Sequence, residues 1–207
     1  MKIGIMGGTF DPIHKGHLML GEYAYKQYGL DKIWFMPNGT PPHKDHAKIG
    51  SKAEDRMNMV RLAIEGNEAF ELQTYEILNQ DINYSYKTME HFRAVYTQDE
   101  FYFIIGADSL FAIESWVKPE RLLKTCVILA AYRDEKSTEE MKNQIAYLNQ
   151  KYQADIRLLN TPNVDISSSE IINMLQEQES VCDMVPEAVY QDIKEKQLYK
   201  ECSDSAV

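Results

Sequence analysis

The chain has 207 residues, a formal charge of −10 and 44% hydrophobic residues. That length suits one domain with a sizeable core, and the acidity argues against a general nucleic-acid surface. Three cysteines (Cys126, Cys182, Cys202) without Cys-x-x-Cys spacing argue against a disulfide framework or structural zinc, and fit a reducing cytoplasm; no signal peptide or membrane-crossing run is expected.

Ile3-Gly4-Ile5-Met6 reads as a short buried parallel strand. Gly7-Gly8-Thr9-Phe10-Asp11-Pro12-Ile13-His14-Lys15-Gly16-His17 follows it directly. Gly7 and Gly8 tolerate positive φ, and Asp11-Pro12 favours extended or turn geometry, so the chain turns sharply. Leu18, Leu20, Tyr23, Ala24 and Tyr28 then recur at helical spacing over 15–28. The helix N-terminus thus meets the strand's carboxyl end, where unpaired amides and the helix dipole favour an anion. His14 and His17 share one side of the first turn, where two imidazoles can donate to one phosphate, and Gly16 leaves room for it. The glycine spacing matches neither the dinucleotide fingerprint nor a P-loop.

A second strand is expected over 33–36, then a polar loop containing His43, Lys44 and His46, too little for a metal site. Together with His14, Lys15, His17 and Arg133, His43 and Lys44 can make an acidic protein locally positive. Ser51 and Glu54 have capping-box spacing before a helix carrying Met57, Val60 and Ile64. Alternation of Phe70, Leu72 and Thr74 predicts a strand over 70–77, and Tyr84-Ser85-Tyr86 opens a helix to about Tyr96, with Ser85 as N-cap.

Phe101 to Ile105 is the expected central strand, ending at Gly106-Ala107-Asp108. A carboxylate there faces the ligand crevice of an open α/β sheet or caps the next helix. Trp116 is packing or a stacking face for a flat ring. A strand over 126–131 leads to Arg133, a solvated charge or a phosphate or adenine contact. Ser137 and Glu140 form another capping box, Met141, Ile145, Leu148 and Tyr152 an apolar stripe, and 154–159 a sixth strand. Ile166-Ser167-Ser168-Ser169 opens a helix to about Glu177, its serines serving as N-cap or as anion donors. Pro186 suits the first turn of a closing helix to about Tyr199, and 201–207 should fray. The alternation predicts a Rossmann-like, doubly wound parallel sheet in one domain over 1–200, with a helical C-terminal segment from about 166.

Gly7 to His17 resembles the signature of the nucleotidyltransferase superfamily with a His-x-Gly-His motif. Gly-Gly-Thr-Phe-Asp-Pro narrows the likeness to adenylyltransferases, and from Met1 to about Tyr199 the chain resembles the bacterial nicotinate-nucleotide adenylyltransferase family. The resemblance implies adenylyl transfer from ATP to nicotinate mononucleotide in NAD biosynthesis, with Mg2+ held mainly by the phosphates and no metal site of protein ligands. It makes His17, and secondarily His14, catalytic. Phosphate or ATP contacts fall to Gly7, Gly8, Thr9, Phe10, Gly16, His43, Lys44, Gly106, Asp108, Arg133 and Ile166 to Ser169. Ser85, Tyr86 and Trp116 fall to the nicotinate nucleotide, Ser85 standing where the family has threonine. Ile172 stands in place of the arginine that closes the family's second signature, Ile-Ser-Ser-Thr-x-Ile-Arg. A sibling enzyme using nicotinamide mononucleotide or phosphopantetheine, and a nucleotide sensor without turnover, are the alternatives; neither nucleic acid nor membrane is an expected partner, and a homo-oligomer is compatible with the reading.

Overall fold

The computed structural model describes residues 1–39, 50–79, 81–132, 138–162 and 165–200. The apolar runs form β1 (Lys2–Gly8), β2 (Lys32–Pro37), β3 (Phe70–Leu72), β4 (Glu100–Gly106), β5 (Val127–Ala131) and β6 (Ile156–Leu159). All pairings are parallel, in the order β3-β2-β1-β4-β5-β6. The helices are α1 (Lys15–Tyr28), α2 (Ala53–Ile64), α3 (Tyr75–Leu78), α4 (Ser85–Val95), α5 (Ala107–Ala112), α6 (Pro119–Thr125), α7 (Thr138–Tyr152), α8 (Ser168–Gln176) and α9 (Glu187–Glu195).

Strand residues alternate between two cores. Met6, Ile33, Phe35, Tyr102, Ile104 and Leu129 face α1, α2, α8 and α9, while Ile5, Trp34, Met36, Phe103, Ile105 and Ile128 face α4 to α7. Because helices cover both faces, the strands read as continuous apolar runs rather than alternating ones. Gly29, at φ 58°, ends α1 and returns its N–H to the Tyr25 carbonyl, turning the chain back towards β2. The strand order reverses between β1 and β4, so the ligand crevice of this architecture opens at their carboxyl ends.

Several expected boundaries differ. The strand expected over 70–77 stops at Leu72, and Tyr75–Leu78 is a helical turn. The capping-box pair does not cap α2: Lys52 is its N-cap, and Ser51 bonds Asp11 instead. Tyr84 rather than Ser85 is the N-cap of α4, and Pro186 is the N-cap of α9 rather than part of its first turn. α9 ends at Glu195, and the chain turns through left-handed Gln197 and Tyr199. Ser137 lies outside the described residues. Cys126 is buried, Cys182 is exposed, and both are free thiols. Among the described residues no helix is long and apolar enough to cross a membrane.

Candidate active site

At the reversal point Met6 of β1 lies level with Ile104 of β4, so Gly7-Gly8 and Gly106 end the two strands side by side. Neither Gly7 nor Gly8 takes a positive φ; the left-handed residue of the turn is Phe10, at φ 49°. A non-glycine residue rarely holds that conformation without packing to enforce it. Here the Phe10 ring is buried, edge-on to His17 at 5.0 Å and tilted against Phe35 at 6.1 Å. Phe10 therefore shapes the turn from the core. A Cβ on Gly8 would come within 3.2 Å of that ring, so this glycine keeps the turn tight.

His14 is the extended N-cap of α1, and Gly16 is buried in the first turn. The backbone N–H of His14 donates to Nδ1 of His17 at 3.3 Å, and the two rings stack at 3.7 Å. Since Nδ1 accepts, the neutral His17 ring carries its proton on Nε2, a donor directed away from the backbone. His14 is buried, whereas half-buried His17 lines a cavity with Gly7, Phe103, Gly106, Ser109 and Trp116. Asp108 is exposed in the first turn of α5, immediately beyond β4.

Two buried groups hold the turn. Asp11 accepts the Gly50 N–H at 2.7 Å, the Tyr199 hydroxyl at 2.8 Å and the Ser51 hydroxyl. Arg56 donates through Nη1 to the carbonyls of Thr9 at 2.7 Å and Asn38 at 2.8 Å. Burial lowers the guanidinium's pKa while Asp11 opposes the shift, so this cation belongs to the scaffold. In the sequence Asp11 stood out only as part of the Asp11-Pro12 turn and its motif, not as a buried acceptor, and Arg56 did not stand out. Arg56 carried one signal: it shares the helical spacing of buried Met59 and Val60, a core position that a cation fills only with partners.

α8 is tied to the same turn. Ser167 caps it, accepting the Glu170 N–H at 3.1 Å, and Ser168 donates to the Pro12 carbonyl at 3.0 Å. Ser169 is exposed, whereas Ile166 and Ile172 pack on the core, so position 172 supplies packing rather than charge. His43, Lys44 and Arg133 lie outside the described residues.

A second cavity adjoins the first, sharing Gly7, Phe103 and Trp116 with it. Ser85 and Tyr86 line it from the start of α4, whose first turn bears no acidic side chain, so the dipole there favours an anion. Trp116 supplies a half-buried aromatic wall. Asn38, Glu76 and Asn83 complete its polar side. Glu76 accepts the Thr88 hydroxyl at 2.7 Å, and burial pushes its carboxyl up to about 6. The sequence hid Glu76 because the neighbouring alternation suggested a strand.

A doubly wound sheet whose reversal point carries a histidine-bearing, anion-receptive turn beside an aromatic cavity defines a nucleotide-handling protein of the nucleotidyltransferase class. The cytidylyltransferase-like family model matches residues 5–174. A probable nicotinate-nucleotide adenylyltransferase of Clostridium novyi is 38% identical over 199 residues, covering 96% of this chain and 99% of that protein. Another from Clostridium botulinum strain Alaska E43 is 40% identical over 200 residues, covering 97% and 98%. The chain therefore belongs to the cytidylyltransferase-like family, among its nicotinate-nucleotide adenylyltransferases. The fold matches Plasmodium falciparum nicotinic acid mononucleotide adenylyltransferase complexed with NaAD at TM-score 0.79 and 22% identity, covering 96% of this chain and 97% of that one.

Proposed function

We propose that this protein transfers the adenylyl group of ATP to nicotinate mononucleotide, releasing pyrophosphate and forming nicotinic acid adenine dinucleotide. The observation that carries the reading is the junction of the two cavities, an aromatic one at the start of α4 and a histidine-lined one at the start of α1. A pyridine ring on Trp116, its carboxylate at the Ser85 and Tyr86 amides, leaves the nucleotide's phosphate directed towards Gly7 and His17. A phosphate oxygen then attacks the α-phosphorus of ATP in line. The bond from that phosphorus to the oxygen bridging to the β-phosphorus breaks, and its electrons leave with pyrophosphate.

No protein nucleophile is needed. The chain's work is to position two polyanions and to donate hydrogen bonds where charge grows. His17 Nε2–H is the principal donor to the reacting phosphate, and His14 fixes that ring by its N–H and by stacking. The amides after Gly8, Gly106 with Asp108, and the start of α8 receive the rest of ATP; His43, Lys44 and Arg133 are proposed to add positive charge. Magnesium would neutralise the triphosphate and would be held mainly by its oxygens and water, and Asp108, exposed in the first turn of α5, would offer it a carboxylate oxygen. The free thiols suit a reducing cytoplasm.

The test is pyrophosphate release with ATP and magnesium, comparing nicotinate mononucleotide, nicotinamide mononucleotide and phosphopantetheine as acceptors. Release is expected with the nicotinate nucleotide, falling by about 100-fold or more in His17→Ala, the scale of losing a preorganised donor to developing charge. Release only with another acceptor would discard the substrate, and near-wild-type turnover in His17→Ala would discard the role of His17.

A further inference from the structure

Glu76 is the one carboxyl among the described residues that line the aromatic cavity, and it is buried there. Two bonds join it to the segment that opens α4. Its carboxylate accepts the Thr88 hydroxyl at 2.7 Å, and its backbone carbonyl accepts the Asn83 side-chain N–H at 2.9 Å. Asn83 is itself buried and lines the same cavity, and Ser85 lies two residues beyond it. The residue thus stands beside the ring of any acceptor bound there and holds the turn that would receive the ring's carboxylate.

Resting on the functional reading above, we propose that Glu76 is a positioning and specificity residue for the acceptor: its ionisation sets how strongly the protein prefers an acid ring substituent over an amide. An ionised Glu76 repels a nicotinate carboxylate across a low-dielectric cavity and leaves a neutral carboxamide almost unaffected; a protonated Glu76 repels neither. Burial, only partly offset by the Thr88 hydroxyl, raises the carboxyl to about 6, so the switch falls in an accessible pH range.

Among the described residues, the other titratable groups near it are these. Tyr84 and Tyr86 line the cavity from α4. Lys118 and Arg121 lie over the Tyr86 ring at 5.4 and 4.7 Å, with Arg121 paired to Glu90. Exposed His91 stacks on Tyr75 at 4.3 Å, next to Glu76 in α3. From the end of β2 come Asn38 and Gly39, which carry no charge.

The experiment is calorimetric binding of nicotinate and nicotinamide mononucleotides to the full chain between pH 5 and 8, reading the ratio of their dissociation constants. Both ligands carry the same 5′-phosphate, so its titration cancels in the ratio. In the wild type the preference for the acid is expected to fall about fivefold or more as pH rises through 6. Glu76→Gln keeps the shape and an acceptor for Thr88, and should hold the ratio constant at the wild type's low-pH value. Thr88→Val removes that hydroxyl donor to the carboxylate, and should move the inflection to higher pH. Thr88→Ser should leave it in place. A flat wild-type ratio, or a Glu76→Gln ratio that still titrates, overturns the proposal and leaves the adenylyl-transfer reading standing. Binding of neither nucleotide at any pH overturns both.

Discussion

Tyr199 donates its phenolic proton to Asp11 at 2.8 Å, joining positions 188 residues apart. Burial, reinforced by the Asp11 charge, pushes the phenol's pKa well up, so the group remains a donor. The same carboxylate takes the Gly50 amide and the Ser51 hydroxyl, so the turn after β1, the approach to α2 and the C-terminal segment share one acceptor.

Tyr199→Phe keeps the ring and deletes that bond. A hydrogen bond to a charged group contributes about 1.5–3 kcal/mol, and that loss of stability is expected in urea unfolding with an unchanged m-value. A loss below about 0.5 kcal/mol would show that Asp11 is satisfied without Tyr199.

Arg56 joins the two sides of the crevice, since one nitrogen serves Thr9 in the turn after β1 and Asn38 beside the aromatic cavity. Arg56→Met would leave two half-buried carbonyls without that donor, at up to about 1–3 kcal/mol each. We expect unfolding free energy to fall by about 2–5 kcal/mol and KM for both substrates to rise. A stable variant with unchanged KM values would show that the two loops need no such tie.

The strands were legible because burial on both faces demands unbroken apolar runs, as in Phe101 to Ile105 and Val127 to Ala131. The helix that follows the turn after β1 was legible from its spacing, and His14 and His17 do share its start. What holds the turn was not. Asp11 meets partners 39, 40 and 188 residues away, distances at which local pattern carries no information. Ser51 illustrates the competition: its spacing to Glu54 signals a cap, but the buried Asp11 carboxylate claims its hydroxyl. Positive φ fell on Phe10 rather than a glycine because aromatic packing, not intrinsic freedom, decides that turn.

The tautomer of His17 makes a finer prediction than loss of the ring. The donor proposed for it is Nε2–H, with Nδ1 occupied by the His14 amide at 3.3 Å. A glutamine amide reaches about as far as Nε2, and an asparagine amide only as far as Nδ1. His17→Gln should therefore keep at least about tenfold more turnover than His17→Asn, with both below wild type. Equal turnover in the two variants would place the working proton elsewhere.

Glu76 also makes stability depend on pH. Its carboxyl is pushed up to about 6 in the folded chain, from the 4.5 ordinary for a solvated glutamate, because burial penalises the charge more than Thr88 relieves it. Between those values the folded state binds more protons than the unfolded one. Its contribution is thus fully present below about pH 4.5 and is lost as pH rises through 6. A shift of that size corresponds to about 2 kcal/mol at about 1.36 kcal/mol per pH unit. Glu76→Gln removes the titration. The difference in unfolding free energy between the two proteins should therefore move by about 2 kcal/mol in the variant's favour from pH 4.5 to 7.5, the other carboxylates cancelling. Parallel pH profiles for the two proteins would show that Glu76 meets water or a donor that offsets its burial, and would move the switch in acid-to-amide preference from about pH 6 down to the ordinary carboxylate range.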